Sequence, residues 1–475
     1  MKFGTSGLRG LATDLLGPQT SAYARAFARR LFETGAARPG DQLFIGRDLR
    51  ESSPAISAIC ADVLSATGLT IVDCGELPTP ALAGFAWFNK AAALMVTGSH
   101  IPADRNGIKF FLPGAEIDKS DEAAMTALVQ AAEPDKQPSV TPGSIVRREI
   151  EALAWYRDRG RAMAAEGALS GMKIGVYQHS SVARDFLTEL LTSIGAETVP
   201  LERTSHFVAV DTEAVPPETI DTFAAWTQEH RLDAIVSTDG DGDRPLIADE
   251  TGAQLRGDMI GLVTARMVGA DIVVTPVTSN SGIKADLGFE VLRTKVGSPF
   301  VIDAMQRAGG QKAAGNGKTV VGFEANGGFL LGSSFDHAGM RGTALPTRDA
   351  LLPILAVLQS ARREKIALSA LAERWALPVS ASDRLENFPV ERSQALMAHL
   401  AAKNDALKQF LSPFGNIASV DRTDGLRTTF SSGEIVHLRP SGNAPEMRCY
   451  TEGATPARAE ALLAKALERV RHWKQ

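Results

Sequence analysis

The sequence predicts an α/β protein with three related α/β domains around a central cleft and a smaller C-terminal α+β domain. Short β-branched runs alternate with glycine- or serine-rich turns and helix-period segments along most of the chain, as is typical of α/β folds. The same order of elements occurs three times before the pattern changes. The length of 475 residues corresponds to about three domains, and allows four, at roughly 150 residues per domain.

The repeated unit consists of a strand, a helix and two further strands. The first copy is predicted at residues 41–46, 54–68, 70–73 and 90–96, the second at 172–176, 183–195, 197–199 and 232–236, and the third runs through 271–274, 282–289 and 319–321. The last strand of each copy leads directly into an unusual loop, at 97–100, 237–244 and 322–328. Because ligands collect beyond the carboxyl ends of strands in open α/β sheets, we expect these three loops to face one cleft.

The end of the chain has a different pattern, which predicts the α+β domain. Two amphipathic helices, at 391–410 and 456–473, enclose short strands at 417–421, 426–430, 435–440 and 446–450. The proline-rich segment 133–144 is the clearest predicted linker. The predicted domains are therefore 1–143, with a serine loop, 144–253, with an acidic loop, 254–370, with a glycine-rich loop, and 371–475, with an arginine-containing loop.

Composition excludes several classes of function. Fifty Lys and Arg residues against 55 Asp and Glu residues, without a basic tail, argue against a general nucleic-acid or membrane-surface binder. Three cysteines without a CxxC pair or metal-ligand spacing argue against a disulfide framework or a zinc site and favour a reducing compartment. The start lacks the apolar core of a signal peptide, and no apolar run reaches the ~20 residues of a membrane span. We therefore expect a cytoplasmic protein without a membrane partner.

The loop after the first copy carries a serine at the tip of a strand. Ser99 can act as a nucleophile or cap a helix, and the loop alone favours the cap. The hydrolase pattern G-x-S-x-G fails because Ile101 stands at the second glycine. Lys109, ten residues on, can neutralise a phosphate or lie on the surface.

The loop after the second copy is the most specific chemical signal. Asp239, Asp241 and Asp243 alternate with glycines, so their carboxylates can converge on one hard cation such as Mg²⁺. Three adjacent carboxylates repel one another without a cation, which favours a metal site over a polar turn. An EF-hand is excluded because Arg244 occupies the position of the required glycine, although Glu250 fits the last position.

Two further loops have polar residues among glycines. Glu324 and Asn326 suit close approach to a hydroxylated ligand, with a simple glycine-rich turn as an equal alternative. A P-loop just upstream is excluded because Lys312 stands where a glycine is needed. The loop 439–448 contains two arginines and a Ser-Gly-Asn turn, which suit a phosphate or an ordinary surface hairpin. Arg9, between glycines near the start, is a weaker anion signal.

These loops, in this order, resemble the motifs of the α-D-phosphohexomutases: TSGLRG, TGSH followed by NG-K, DGDGDR, a G-E sugar loop and RPSGNAPEMR. The resemblance covers essentially the whole chain. It implies three related α/β domains around a cleft and a smaller fourth domain. It also implies an isomerase that moves a phosphoryl group between the 1- and 6-positions of a hexose phosphate through a phosphoserine enzyme and a 1,6-bisphosphate.

The resemblance further implies a role for individual residues. Ser99 would carry the phosphoryl group, with Arg9 and Lys109 beside it. One Mg²⁺ would be held by the three aspartates and the phosphorylated Ser99. The substrate-binding residues would be Arg244, Glu324, Asn326, Arg439, Ser441, Gly442, Asn443 and Arg448.

The expected substrate is mannose 6-phosphate, converted to mannose 1-phosphate, because the start and the sugar loop resemble bacterial phosphomannomutases most. A phosphoglucomutase or a dual-specificity mutase is the alternative, and a phosphoglucosamine mutase is less favoured. A sugar-phosphate sensor would lack Ser99 or an aspartate, and neither is missing; a Mg²⁺-dependent phosphatase is a further competitor on the same fold. We expect small hexose phosphates as the ligands and a monomer or homodimer.

The sequence also departs from the family pattern. Ile101 replaces an asparagine, Asn326 stands at a serine position, and Ser298 and Gly328 stand where some or many members carry histidine. Proton-transfer roles of those histidines therefore cannot be transferred. Gly328 also leaves no evident side chain to recognise the sugar's 2-hydroxyl.

Overall fold

The computed structural model describes residues 1–4, 7–131, 141–309, 317–402, 404–441 and 445–473. The first sheet has the strand order β1-β2-β6-β5-β3-β4-β8, with β7 on β6. Its strands are β1 (Lys2–Phe3), β2 (Leu8–Leu11), β3 (Gln42–Arg47), β4 (Thr70–Glu76), β5 (Ala92–Val96), β6 (Arg105–Leu112), β7 (Ala115–Glu116) and β8 (Ile145–Arg147). The helices are α1 (Ala12–Leu15), α2 (Pro18–Thr34), α3 (Ser53–Ala66), α4 (Thr79–Phe88) and α5 (Lys119–Gln130). Most of the predicted linker lies outside the described residues, and its end leads into β8.

The second sheet follows α6 (Glu149–Ala162) and has the order β10-β9-β11-β12. Its elements are β9 (Lys173–His179), α7 (Arg184–Ser193), β10 (Glu197–Arg203), α8 (Pro217–His230), β11 (Ala234–Thr238) and β12 (Pro245–Ala248).

The third sheet has the order β14-β13-β15-β16-β19, and β17 and β18 form a separate ribbon. Its elements are α9 (Gly257–Met267), β13 (Ile272–Pro276), a 3₁₀ turn (Ala285–Leu287), β14 (Glu290–Thr294), α10 (Ser298–Arg307), β15 (Val320–Phe323), β16 (Phe329–Leu331), β17 (Phe335–His337), β18 (Met340–Gly342), β19 (Leu345–Asp349), α11 (Leu351–Glu364) and α12 (Leu368–Glu373).

The fourth sheet is antiparallel, with the order β20-β24-β23-β22-β21. Its elements are β20 (Val379–Leu385), α13 (Val390–Ala402), α14 (Asn404–Leu411), a 3₁₀ turn (Ser412–Phe414), β21 (Ile417–Asp421), β22 (Leu426–Phe430), β23 (Ile435–Pro440), β24 (Met447–Gly453) and α15 (Pro456–His472). The sequence did not predict β20, and it predicted one helix where the structure describes α13 and α14.

The first three sheets share one arrangement, which confirms the predicted fold class. In each sheet the first strand of the unit pairs in parallel with the second and the third, and the third also pairs with a following antiparallel strand. The third strands are β5, β11 and β15. Each of the three loops chosen from the sequence leaves the carboxyl end of one of these strands.

The hydrophobic core continues between the domains through α11. Residues 351–361 of this helix are all buried. Pro353 falls in the first turn, where a missing N–H costs no helical hydrogen bond. Fully burying each leucine stabilises the fold by about 1.5–3 kcal/mol, and Leu355→Ala would cost about 2–5 kcal/mol. Among the described residues, no helix is both long and apolar enough to cross a membrane.

Candidate active site

The serine loop leaves β5 and presents Ser99 in a buried, left-handed conformation. The φ angle of Ser99 is 53°, which is uncommon for a residue with a side chain and is typical of functional loops. The backbone N–H of Ser99 donates to Thr97 Oγ1 at 2.8 Å, and only 1% of the residue is exposed. The next element is strand β6, so Ser99 does not cap a helix and the capping alternative is wrong.

The guanidinium of Arg50 stabilises this loop by hydrogen bonds. It donates to the backbone carbonyls of Ser99, Ile101, Pro102 and Arg105 at 2.6–2.9 Å. Four N–H donors on one planar group thus satisfy the carbonyl oxygens of this curled backbone segment.

Asp48 completes the support of the serine loop. It accepts from Thr97 Oγ1 at 2.7 Å and from the backbone N–H of Gly98, and it lies 3.3 Å from the Nε of Arg50. A Cβ on Gly98 would lie 2.5 Å from the guanidinium carbon, so the close packing of Arg50 requires a glycine there.

The acidic loop leaves β11 and converges as predicted. Asp239, Asp241 and Asp243 are buried, and one carboxylate oxygen of each lies within 4.8 Å of the others. Asp239 Oδ1 accepts from the backbone N–H groups of Asp243 and Arg244 at 3.2 Å, which curls the loop around it. The Oδ1 atoms of Asp241 and Asp243 are buried without a hydrogen-bond partner. Three buried carboxylates with two unpartnered oxygens can hold a metal ion.

The serine and acidic loops meet, although they lie in different domains. Ser99 Oγ donates to Asp239 Oδ2 at 2.5 Å. Lys109 Nζ, on β6, donates to both Asp241 Oδ2 and Asp243 Oδ2 at 2.6 Å. Thr79 Oγ1, at the start of α4, also donates to Asp241 Oδ2 at 2.5 Å. The predicted carrier, lysine and metal ligands thus form one cluster.

Burial and neighbouring charges set the protonation of this cluster. Burial, reinforced by Asp241 and Asp243, raises the pKa of Asp239 well above its usual value. Burial also acts to raise the pKa of Asp243, but the cations Arg348, Lys109 and Arg244 outweigh it and lower that pKa. Burial disfavours charge on Lys109, yet the two aspartates that it contacts outweigh burial and raise its pKa. The charged forms of Asp243 and Lys109 are therefore favoured in this cluster, whereas the charge of Asp239 is disfavoured.

The sugar loop leaves β15 and is closed by its own backbone. The N–H of Glu324 donates to the carbonyl of Gly328 at 3.1 Å, and the N–H of Gly327 returns to the carbonyl of Glu324 at 3.0 Å. Asn326 Oδ1 accepts from the N–H of Gly328 at 2.9 Å. The carbonyl of Asn326 also accepts from Thr212 Oγ1 of the second domain. Glu324 is buried and reaches towards Arg348, whose Nη1 lies 3.5 Å from Glu324 Oε2.

Arginines surround the cluster on the remaining sides. Burial, together with Arg244 and Arg348, lowers the pKa of Arg9 to about 10. Arg244 Nε lies 3.8 Å from Asp243 Oδ1. His100 lies with Nδ1 3.3 Å from Ser99 Oγ, and burial, with Arg244 and Arg9, lowers its pKa well below the usual value. His100 is therefore neutral beside the serine.

The loop 439–448, which is predicted to bind a phosphate, lies on the fourth domain. Arg439 Nε pairs with Asp424 Oδ2 at 2.8 Å, and the same oxygen accepts from the backbone N–H of Val296 in the third domain. Arg448 Nη2 lies 3.3 Å from Glu446 Oε2, and the N–H of Ser441 donates to the carbonyl of Glu446. Gly442 and Asn443 fall outside the described residues.

Glu213 of the second domain lies at the boundary with the fourth domain. Burial and Asp211 raise the pKa of Glu213, while Arg448 and Arg244 oppose that shift. A cavity of about 540 Å³ lies here between the second and fourth domains, and Glu213, Arg448 and Tyr450 are among its lining residues.

Sequence reasoning missed four residues that shape the site: Asp48, Arg50, Thr79 and Arg348. The first two follow β3 directly, at the same sheet edge as the serine loop, and charged residues at the end of a buried strand are a usable signal. Nothing local marks Thr79 or Arg348, because each acts on a loop of another domain.

Comparison with known proteins gives the class. Four models of the phosphoglucomutase/phosphomannomutase family match in order: alpha/beta/alpha domain I at residues 1–136, domain II at 158–252, domain III at 256–377 and the C-terminal domain at 385–469. The chain belongs to this family.

Individual relatives extend over the whole chain. The chain is 51% identical to a phosphomannomutase of Sinorhizobium fredii over 467 residues, covering 98% of each, and 41% identical to a phosphomannomutase of Salmonella muenchen, covering 95% and 92%. A phosphoglucosamine mutase of Symbiobacterium thermophilum is 29% identical, covering 99% and 98%. The crystal structure of a putative phosphomannomutase from Thermus thermophilus shares the fold, with a TM-score of 0.77 over 99% of both chains at 24% identity.

Proposed function

We propose that the protein is a phosphohexomutase that interconverts mannose 6-phosphate and mannose 1-phosphate. The contact between Ser99 Oγ and Asp239 Oδ2, 2.5 Å long and within a buried acidic cluster, carries this proposal. In this contact the hydroxyl proposed to carry the phosphoryl group donates to a residue of the predicted cation site.

In the proposed active form Ser99 carries the phosphoryl group. Asp239, Asp241 and Asp243, with an oxygen of that phosphate, would hold one Mg²⁺. The cation supplies charge stabilisation to the phosphoryl group in transfer. Lys109 and Arg9 add fixed positive charge in a buried setting, where it acts more strongly than in water.

The reaction then needs two transfers and one rotation of the sugar. The phosphorus–oxygen bond to Ser99 breaks as the free hydroxyl of the hexose phosphate bonds to the phosphorus, and the hydroxyl proton ends on Ser99 Oγ. The hexose 1,6-bisphosphate turns, and Ser99 Oγ then bonds to the phosphorus of the other phosphate as the bond from that phosphorus to the sugar oxygen breaks. The proton passes from Oγ to that sugar oxygen. Arg439, Ser441 and Arg448 are proposed to hold the non-reacting phosphate, with Gly442 and Asn443 as predicted partners in the same loop.

The choice of mannose rests on the relatives' names and on the sugar loop. Two relatives named phosphomannomutase are more similar to the chain than the phosphoglucosamine mutases, which are 27–32% identical. Glu324 is proposed to accept from hydroxyls that mannose and glucose share, with Arg244 and Asn326 nearby, so glucose 1-phosphate is the second candidate substrate. Discrimination against glucosamine phosphate is expected to be stronger.

The cellular setting is proposed from chemistry alone. Cys60, Cys74 and Cys449 are buried free thiols, which fits a reducing cytoplasm. The ligands are proposed to be small hexose phosphates, and the protein to work as a monomer or homodimer without nucleic acid.

Replacing the carrier tests the proposal. Ser99→Ala should abolish conversion of mannose 1-phosphate, and intact-mass measurement should show a phosphorylated fraction in the wild type that the variant lacks. Ser181→Ala is the matched control, because Ser181 is also buried and bonds Thr238 Oγ1 beside the acidic loop; it should keep the added mass. Full turnover by Ser99→Ala would refute the mechanism, and release of inorganic phosphate from the substrate by the wild type would identify a phosphatase instead.

A further inference from the structure

Arg348 occupies the space that Gly328 leaves open. A Cβ on Gly328 would lie 2.6 Å from Cδ and 3.0 Å from Cγ of Arg348. The glycine found where many family members carry histidine therefore does not leave a gap. It makes room for an arginine that comes from β19, twenty positions further along the chain.

The guanidinium of Arg348 joins the acidic loop to the sugar loop. Its Nε and Nη2 lie 3.1 and 3.0 Å from Asp243 Oδ2, and its Nη1 lies 3.5 Å from Glu324 Oε2. The side chain is 4% exposed. One planar group thus contacts a predicted metal ligand of the second domain and a predicted sugar ligand of the third.

The strand that carries Arg348 is itself anchored on both sides of it. Thr347 Oγ1 donates to Glu116 Oε1 of the first domain at 2.6 Å. Asp349 Oδ1 accepts from the hydroxyl of Tyr156 at 2.6 Å. The contacts of β19 therefore fix the backbone of Arg348. The position of its guanidinium thus depends on the packing of three domains.

We propose that Arg348 is a positioning residue that holds the Glu324 carboxylate at a fixed distance from the Asp243 carboxylate. The sugar ring bound by Glu324 is thereby held at a fixed distance from the cation site. This inference rests on the proposed function, since it assigns Glu324 to the sugar. Lysine cannot replace this arrangement, because its single ammonium group lacks the planar fork that reaches two carboxylates. The arginine and the glycine are proposed to act as one unit.

The test measures binding without turnover, in a Ser99→Ala background. Calorimetry gives the dissociation constants of mannose 1-phosphate and of Mn²⁺, a hard-cation probe. R348M and R348K should each weaken binding of mannose 1-phosphate by about tenfold or more, because Glu324 loses its oriented partner. R348K keeps the positive charge and should leave Mn²⁺ binding unchanged, whereas R348M removes a positive charge beside Asp243, so its Mn²⁺ binding should be unchanged or stronger. G328A, which removes no charge, should weaken sugar binding similarly because its methyl group displaces the arginine. In the R348A background, G328A should weaken sugar binding much less, because alanine lacks the Cγ and Cδ atoms that the added methyl group displaces.

R184M is the matched control. Arg184, on α7, is also largely buried and donates to the carbonyls of His179 and Thr204, but it contacts neither Asp243 nor Glu324. It should lower the melting temperature while leaving both dissociation constants unchanged.

The proposal fails if R348K binds mannose 1-phosphate as wild type does, if R348K loses Mn²⁺ binding as strongly as sugar binding, or if R184M reproduces the loss. Additive effects of G328A and R348A would refute the joint action of the pair. Because these measurements need binding and no turnover, a wild type that fails to convert mannose 1-phosphate would refute the proposed function without deciding the role of Arg348.

Discussion

Arg50→Met should release the serine loop while leaving the rest of the first domain folded. Arg50 is fully buried and provides the donors for four carbonyls between residues 99 and 105. Methionine fills a similar volume but donates nothing. The four carbonyls and Asp48 would then lose their charged partner, and water must enter to solvate them.

The structure sets the size of this effect. Removing one member of a buried ion pair costs about 3–5 kcal/mol, because the remaining charge is left uncompensated. Asp48 still accepts from Ser53, Thr97 and Gly98, so the lower value applies. About 3 kcal/mol corresponds to roughly 150-fold more frequent opening of the loop. Turnover should fall by more than the affinity for the sugar phosphate, since Ser99 loses its position.

Hydrogen–deuterium exchange of the amides between 97 and 107 measures the opening directly. Arg293→Met is the matched control, because Arg293 also donates to four carbonyls, those of Pro276, Ser279, Asn280 and Ile283. It should speed exchange in that turn and leave the serine loop protected. Wild-type exchange at 97–107 in Arg50→Met, or equal acceleration there in the control, would refute the reasoning.

Three further predictions concern charge and pH. Chelation should abolish turnover, and added Mg²⁺ should restore it. Asp241→Asn should keep turnover low at any Mg²⁺ concentration that saturates the wild type. Turnover by the chelated enzyme would contradict the cation site. Arg439→Ala should weaken hexose 1-phosphate binding at least tenfold while Mn²⁺ binding stays constant, as calorimetry can check. Burial lowers the pKa of His179 to about 4, from about 6.5 in the unfolded chain. The unfolded chain therefore binds more protons between these values, and stability falls as the pH falls, by about 2 kcal/mol at pH 5. Denaturant unfolding at pH 7 and 5 should show a smaller difference in His179→Gln, and an equal difference would exclude this histidine.

The sequence was sufficient for the parts of the site that depend on local order. A strand that ends in a polar, glycine-rich loop places that loop at the carboxyl edge of its sheet, and this holds for the loops of Ser99, Asp239 and Glu324. The threefold order of elements then predicts that the three edges face each other. Both steps need only short-range patterns, so the sequence alone predicts that these loops meet.

The contacts that tune the site depend on domain packing and were not predictable. Lys109 meets Asp241 across 132 positions of the chain, and Thr347 meets Glu116 across 231. The missing side chain at Gly328 was visible in the sequence, but only the structure shows that Arg348 fills its place. The expectation that no side chain here recognises the sugar's 2-hydroxyl stays a prediction.

The charges around Ser99 explain why its phosphorylated form should need a divalent cation. Without a phosphate, Lys109 and Arg348 compensate Asp243, whereas burial near Asp241 and Asp243 raises the pKa of Asp239 and disfavours its charge. A phosphate on Ser99 would add a charge of about −1.5 to −2 next to Asp239. A cation bound by the aspartates and the phosphate would reduce both the repulsion among the aspartates and their repulsion of the phosphate. By linkage, phosphorylation of Ser99 would then raise the cation affinity by the same factor by which the cation favours phosphorylation.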